Sequence, residues 1–145
     1  MSARLPRIVT AVEPLLAAVS EEESLGPALA GGWSRKDLIA HLIDSAANNH
    51  LRFLFAAQQG ALEFPGYDQD ANNALQAPSE VPWPLLVGLW SNYNRYLSHV
   101  IARLPADKLE APCRIGGAAA VTLQFLVDDY IAHLEHHLKQ IGVHV

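Results

Sequence analysis

The chain has 145 residues, half of them hydrophobic, so it is long enough to bury one hydrophobic core, and we expect a single domain over residues 1–145. Its formal net charge of −5, with lysine and arginine scattered along the chain, argues against a nucleic-acid-binding surface. No apolar segment is long enough to cross a membrane, no signal peptide is recognisable, and the lone Cys113 excludes an intrachain disulfide; together these features predict a cytoplasmic protein.

Two amphipathic helices are predicted in the first part of the chain. Residues 5–20 place apolar side chains at helical spacing, with Pro14 as a bend. A longer helix is predicted over residues 35–59, where Ser34 and Asp37 have the spacing of a capping box. Residues 60–79 have no helical periodicity and contain a Pro65-Gly66 turn signal. A long irregular segment of this kind predicts a loop that covers or borders a site.

Two further helices are predicted in the second part of the chain. One begins near Val81, with Pro82 and Pro84 in its first turn, and continues to about residue 104. After a second loop over residues 105–121, Thr122 is the predicted cap of a last helix that ends at Gly142. No alternating run indicates a sheet. The sequence therefore predicts an all-α fold, a four-helix bundle with two long inter-helix loops.

Three histidines are the candidate metal ligands. His133 and His137 are one helical turn apart, so their rings project from the same helix face, whereas the ring of His136 projects about 100° away. His41 lies beside the inward stripe of the second predicted helix. Three neutral imidazoles that meet inside a bundle can hold a divalent metal ion and leave coordination positions open for catalysis. The alternative is a metal-free bundle in which the histidines satisfy one another.

Polar residues near these histidines are candidates for supporting roles. Asp129, Asp44 and Ser45 each lie about one helical turn from a histidine and could orient its ring, although either acid could equally be a solvated surface charge. Asn48 and Arg52 follow His41 along the same face and could form a polar pocket for a carboxylate or an amide. The loop residues that could close over the site are Tyr67, Asp68 and Asp70.

Two motifs in this chain resemble the DinB/YfiT-like family of four-helix metalloproteins. The string GWSRKDLIAHL over residues 32–42 is similar to the opening of the family's second helix, which carries the first metal ligand. The string DYIAHLEHHLKQI over residues 129–141 is similar to the family's C-terminal pattern, in which the second member of the double histidine is a ligand. The resemblance implies a bundle with a divalent metal, usually nickel or zinc, on His41, His133 and His137, and it implies a homodimer.

The same resemblance implies several classes of function. Family members include thiol-dependent S-transferases and a mycothiol-dependent maleylpyruvate isomerase, and many others are proposed metal-dependent hydrolases. Because Cys113 lies in a predicted loop without an evident base, an external low-molecular-weight thiol is the simplest nucleophile. We therefore expect S-transferase chemistry on a small-molecule electrophile. Hydrolysis by metal-activated water is the first alternative, and a non-catalytic dimeric metal-binding protein is the second.

Overall fold

The computed structural model describes residues 3–28 and 32–144, and most of them are helical. Within these residues, six α-helices and three short strands follow one another. The helices are α1 Arg4–Ala17, α2 Glu21–Leu25, α3 Arg35–Gln59, α4 Gln69–Gln76, α5 Trp83–Ala102 and α6 Leu123–Ile141, and the strands are β1 Leu62–Phe64, β2 Pro112–Ile115 and β3 Val121–Thr122. Among the described helices, none is long and apolar enough to cross a membrane.

The four long helices, α1, α3, α5 and α6, form a bundle around one apolar core. Helix α3 packs against both α5 and α6, and α1 packs against α5. Each of these helices contributes a buried apolar stripe, and the aromatic side chains of Trp83, Trp90, Tyr130 and Phe53 are among the largest that are fully buried. Burying these stripes supplies the main stabilisation of such a bundle. The predicted four-helix architecture is confirmed.

The ends of the two helices that matter most are fixed by the residues that the sequence indicates. Ser34 and Asp37 form the capping box at the start of α3. The hydroxyl of Thr122 accepts a hydrogen bond of 3.0 Å from the backbone N–H of Phe125 and caps α6. Gly142 ends α6 with φ = 100°, a left-handed conformation that a residue with a side chain rarely adopts. These local signals set the phase of both helices.

The prediction that the chain has no sheet is wrong. Strand β1 pairs in parallel with β2, and β2 pairs antiparallel with β3, which gives a three-stranded sheet in the order β1-β2-β3. The strands have only three, four and two residues, too few for an alternating pattern to stand out in a sequence. The sheet joins the two segments between the long helices to each other and buries Cys113.

The segment 60–79, predicted as a loop, contains strand β1 and helix α4. The carboxylate of Asp68 caps α4 by accepting a hydrogen bond of 3.0 Å from the N–H of Ala71. Buried Asn73 then donates a 3.0 Å hydrogen bond to the backbone carbonyl of Asp37, which ties α4 to the start of α3. This contact holds the segment against the same end of α3 that carries His41.

Two further polar contacts assemble this end of the bundle. Arg35 donates from Nε to the carbonyl of Ile141 at 3.1 Å, so the first turn of α3 lies against the last turn of α6. The ammonium of Lys36 is buried, where it pairs with Glu21 and donates to the carbonyl of Val81 at 2.6 Å. A buried ammonium is tolerated only with such partners. The contacts position α2, α3, α5 and α6 around one end of the core.

Candidate metal centre

Helices α3 and α6 bring His41, His133 and His137 together at this end of the bundle. The Nε2 atom of His133 lies 3.1 Å from Nε2 of His41 and 3.0 Å from Nε2 of His137. One potential ligand atom from each of the three lies within 4.8 Å of the other two. The three rings meet edge to face, with centroids 4.5–5.0 Å apart. The i,i+4 spacing on α6 therefore places His133 and His137 on one face of that helix, and the phase of α3 brings His41 against them.

Burial lowers the pKa of all three imidazoles, which favours their neutral form. Burial, with the neighbouring His133 and His137 adding to it, lowers the pKa of His41 from 6.5 to about 4. Burial and His137 lower the pKa of His133 to about 4, against a smaller opposing effect of Asp129. Burial also lowers the pKa of His137. A neutral imidazole offers a nitrogen lone pair, which is the form that binds a metal ion.

Gln140 orients the ring of His137. Its Oε1 lies 2.6 Å from Nδ1 of His137, and since an amide oxygen only accepts, Nδ1 carries the proton. The lone pair of His137 is then on Nε2, which faces His133. The Nε2 of Gln140 donates to exposed His136 at 3.2 Å, so His136 lies outside the cluster, as its helix phase predicts. Sequence reasoning assigned no role to Gln140, although its three-residue spacing from His137 was available.

The side chain of His41 is enclosed by rings. Only 2% of its surface is exposed, and its centroid lies 5.3 Å from that of Trp33 and 6.5 Å from that of Tyr67. Its Nδ1 atom is buried without a hydrogen-bond partner among the described residues. Trp33 precedes α3 and Tyr67 lies between β1 and α4, so two non-helical segments cover the histidines. The segment 60–79 thus borders the site.

Two cavities adjoin the histidine cluster on different sides. A cavity of about 270 Å³ is lined by Trp33, His137 and Gln140, together with Asp70 of α4. A smaller one of about 130 Å³ is lined by His133 and by polar residues of α3 and α6; its other lining residues are Ser45, Asn49, Arg52, Tyr67, Leu126, Asp129 and Tyr130. A ligand at the histidines could therefore be approached from two directions.

The polar candidates from the sequence fall into two groups. Ser45, Arg52 and Asp129 line the smaller cavity beside His133. Asp44 and Asn48 are engaged elsewhere: Asp44 accepts hydrogen bonds of 2.9 and 3.1 Å from Gln76, and Asn48 donates to the carbonyl of Asp44 at 3.0 Å. No hydrogen bond joins Asp44 to His41 in the described part of the chain, so Asp44 does not orient that ring here.

Asn49, the residue next to Asn48, takes the place that Asn48 was expected to have. Asn49, one residue further along α3, lines the smaller cavity that had been expected to contain Asn48. Its Nδ2 donates to the carbonyl of Ser45 at 2.9 Å.

Cys113 is fully buried on β2, and burial raises the pKa of its thiol. A buried, protonated thiol that lines neither cavity is a structural residue rather than a nucleophile.

The donor set fits a divalent ion of the zinc or nickel type. Imidazole nitrogens that bind zinc tetrahedrally at about 2.0–2.1 Å are separated by about 3.3 Å, slightly more than the distances from His133 to His41 and to His137, and the ligand atoms of all three lie within 4.8 Å of one another. Neutral nitrogen ligands suit zinc and nickel better than calcium or magnesium, which prefer oxygen. Three ligands leave at least one coordination position open. Small ring movements would accommodate an ion between the three Nε2 atoms.

Comparison with known sequences gives one family and one curated relative. The model of the DinB superfamily matches residues 6–141. A protein of Bacillus pumilus (strain SAFR-032), proposed to be a metal-dependent hydrolase, is 29% identical over 116 residues. That alignment covers 79% of this chain and 66% of the relative, so the chain spans slightly less than two thirds of its relative's length.

Solved structures show the same fold at low sequence identity. YfiT from Bacillus subtilis, described as a probable metal-dependent hydrolase with an unusual four-helix bundle topology, superimposes with a TM-score of 0.87 at 18% identity, over 97% of this chain and 81% of YfiT. The mycothiol-dependent maleylpyruvate isomerase superimposes with a TM-score of 0.76 at 17% identity, over 96% of this chain and 58% of the isomerase. At these identities the likeness establishes the fold and leaves the chemistry to the site.

Proposed function

From the premise that this chain belongs to the DinB superfamily, we propose that it is a divalent-metal-dependent enzyme with His41, His133 and His137 as the metal ligands. The observation on which the proposal rests is the convergence of the three Nε2 atoms, with two separations of 3.1 and 3.0 Å. Neutral imidazoles favour nickel or zinc. Gln140 keeps His137 in the tautomer that binds.

The reaction we propose is transfer of a low-molecular-weight thiol to a small electrophile. An ion on three imidazoles supplies Lewis-acid chemistry that lowers the pKa of a coordinated thiol or water. Two cavities that reach the histidines from different sides provide separate places for the thiol and the electrophile. Trp33 and Tyr67 cover His41 and keep bulk water away from it. Buried Cys113 supplies no nucleophile, so the sulfur comes from a cosubstrate.

The bond changes of this reaction are simple. The thiol sulfur forms a bond to the electrophilic carbon, the leaving group departs with the electron pair of the bond that breaks, and the thiol proton passes to a nearby base. Asp129 lines the smaller cavity beside His133 and is a candidate acceptor for that proton. The fixed orientation of the two substrates is what the cavities would contribute to the rate.

Hydrolysis is the second candidate, and in it Asp129 would serve as the base for water instead of for a thiol. A carboxylate beside His133 could remove a proton from an attacking water. The Bacillus pumilus relative is proposed to be a hydrolase, and YfiT is described as a probable one. The two candidates differ in the nucleophile, a thiol in the first and water in the second, so they can be separated by experiment.

The first experiment measures the metal and the nucleophile together. Protein purified without a histidine tag is analysed for bound metal and then loaded with nickel or zinc. It is incubated with cysteine or glutathione and a chromogenic chlorodinitrobenzene, and separately with ester, amide and lactone substrates without thiol. Conjugation that needs both metal and thiol supports the transferase, and turnover without thiol supports the hydrolase. Tight metal binding without any turnover would favour a non-catalytic metal-binding protein.

Two variants make this experiment specific. His137→Ala removes a proposed ligand, and we expect it to lose both metal and turnover. His136→Ala removes the neighbouring imidazole, which is exposed and is not one of the three converging histidines. We expect it to retain most of both. Equal losses in the two variants would contradict the proposed ligand set.

A further inference from the structure

Arg52 is a buried cation beside the histidine cluster, and no hydrogen-bond or ion-pair partner of it is found among the described residues. It lies on α3 with 9% of its surface exposed, and its Nε is buried without a hydrogen-bond partner. In the described part of the chain no hydrogen bond or ion pair of Arg52 is found, although the guanidinium has five N–H donors. Its contact is with the ring of Phe64, whose centroid lies 5.5 Å from the guanidinium carbon.

A guanidinium in this state would be stabilised by an anion. Arginine remains charged in proteins, so it cannot escape the cost of burial by losing its proton. A cation buried without a counter-charge is costly, and so is each buried donor that is left unsatisfied. The contact with Phe64 supports the guanidinium but uses none of its N–H donors. An arriving oxyanion would satisfy both the charge and the donors.

The guanidinium of Arg52 lines the same small cavity as His133 of the histidine cluster. We propose that this cavity is a carboxylate-binding pocket, in which Arg52 holds the carboxylate of the small-molecule substrate and the rest of the substrate extends towards the three histidines. The inference rests on the proposed function, because it names the substrate class of that site. The pocket had been expected from the order of His41, Asn48 and Arg52 along α3; the structure places Arg52 in it and Asn49 instead of Asn48.

The size and charge of the cavity favour a carboxylate over a larger or more highly charged anion. A volume of about 130 Å³ accommodates a carboxylate with a few carbon atoms. The planar fork of a guanidinium matches a planar carboxylate with two parallel hydrogen bonds. Asp129 is the one acidic residue that lines the cavity, and it forms no ion pair with Arg52 within the described ranges. Its charge would oppose a dianion more strongly than a monoanion.

The direct test observes Arg52 in the unmodified, metal-free protein. The Nε–H resonance of Arg52 in ¹H–¹⁵N spectra is assigned by its absence from Arg52→Lys, and the protein is titrated with propionate, propionamide and inorganic phosphate. We expect a saturable shift with propionate and none with the isosteric neutral amide. Equal shifts with the amide would overturn the proposal, and tighter binding of phosphate would overturn the assignment to carboxylates. The titration itself is followed on the wild-type protein, and Arg52→Lys serves only to assign the resonance.

Variants then measure what each group contributes to propionate binding. We expect Arg52→Gln to weaken it about tenfold or more, because two charge-assisted hydrogen bonds are lost. Arg52→Lys keeps the charge without the fork and should fall between wild type and Arg52→Gln. Asp129→Asn removes the opposing charge and should strengthen binding. Arg103→Gln is the matched control, since Arg103 is exposed and lines neither cavity; unchanged binding in Arg52→Gln would overturn the proposal.

The test separates the pocket from the metal site. Propionate binding is measured without metal, and metal binding is measured without propionate, in wild type, His137→Ala and Arg52→Gln. If the metal proposal fails and the pocket is real, propionate still shifts Arg52 although no metal is retained. If the pocket fails and the metal proposal is right, metal binding is lost in His137→Ala while propionate leaves Arg52 unaffected.

Discussion

The amide oxygen of Gln140 lies 2.6 Å from Nδ1 of His137, one helical turn away on α6. This hydrogen bond determines which nitrogen of His137 carries the proton, and it directs the lone pair of Nε2 towards His133 and His41. The other end of the same amide bonds to His136. The Gln140 side chain therefore gives two adjacent histidines, His136 and His137, different hydrogen bonds. In the sequence the two differ only in the helix face from which their rings project.

Removing this amide should weaken metal binding while all three imidazoles remain. In Gln140→Leu the ring of His137 loses the partner that fixes its tautomer and orientation, and we expect about tenfold weaker zinc or nickel binding, measured by competition with a chromogenic chelator. Gln140→Glu keeps an acceptor at the same place and should remain closer to wild type. Unchanged affinity in Gln140→Leu would show that packing alone holds the ring.

The two adjacent histidines should respond differently to truncation. His137→Ala removes one of three nitrogens from the cluster, and we expect it to lose stoichiometric metal binding, as measured by elemental analysis after dialysis. His136→Ala should retain the metal with a small loss of affinity, because it removes contacts to Gln140 and to the edge of the His137 ring but none of the three clustered imidazoles. Circular dichroism should show the helical content of wild type in both variants. A metal-free His136→Ala would contradict the assigned helix phase.

The helices and the histidine cluster could be predicted because short-range patterns determine them. The caps at Ser34 and Thr122 and the terminal Gly142 fix where α3 and α6 begin and end, and the i,i+4 spacing then places His133 and His137 on one face. The sheet could not be predicted, because strands of two to four residues carry no alternation and depend on contacts between distant segments. Helix α4 was missed for a related reason, since its contact to α3 through Asn73 is not visible in the sequence.

The polar residues near the histidines were predicted correctly or incorrectly for the same physical reason. Arg52 lines the smaller cavity because it keeps the helix phase of the buried face of α3. Asp44 has a suitable spacing from His41, but α4 brings Gln76 against it, and that long-range hydrogen bond takes its carboxylate. Asn49 rather than Asn48 reaches the cavity, a difference of one residue and about 100° around the helix. Spacing predicts which face a residue occupies, whereas competition from other segments decides its partner.

The metal-free protein should lose stability as the pH falls from about 6.5 towards 4. In the folded state the pKa values of His41 and His133 are lowered to about 4, chiefly by burial, whereas in the unfolded chain they return to about 6.5. Between these values the unfolded chain binds more protons than the folded one. The contribution of these two histidines to the free energy of unfolding is therefore fully present above about pH 6.5, and it decreases as the pH falls towards 4.

Urea unfolding of the metal-free protein at a series of pH values from about 7 to about 4.5 checks this expectation. His41→Gln cannot be protonated at this position, so its stability should decrease less steeply with falling pH than that of wild type. His99→Gln is the control, because His99 is exposed on α5 and lines neither of the two cavities beside the histidines. If the pH dependence of His41→Gln equals that of wild type, the imidazole of His41 is not held neutral by the fold.

The polar junction formed by Lys36, Glu21 and the carbonyl of Val81 should be a major source of stability for the end of the bundle that carries the site. In Lys36→Met the buried chain retains its length, but Glu21 loses its ion-pair partner and the carbonyl of Val81 loses its donor. We expect a loss of about 2 kcal/mol in the free energy of unfolding, measured with urea, because an unsatisfied buried carbonyl and broken charge-assisted hydrogen bonds are costly. Lys139→Met, an exposed substitution on α6, should change it by less than about 0.5 kcal/mol. Equal stability of both variants would mean that the thioether side chain introduced by Lys36→Met packs well enough to replace the polar junction, as apolar replacements of buried ion pairs sometimes do.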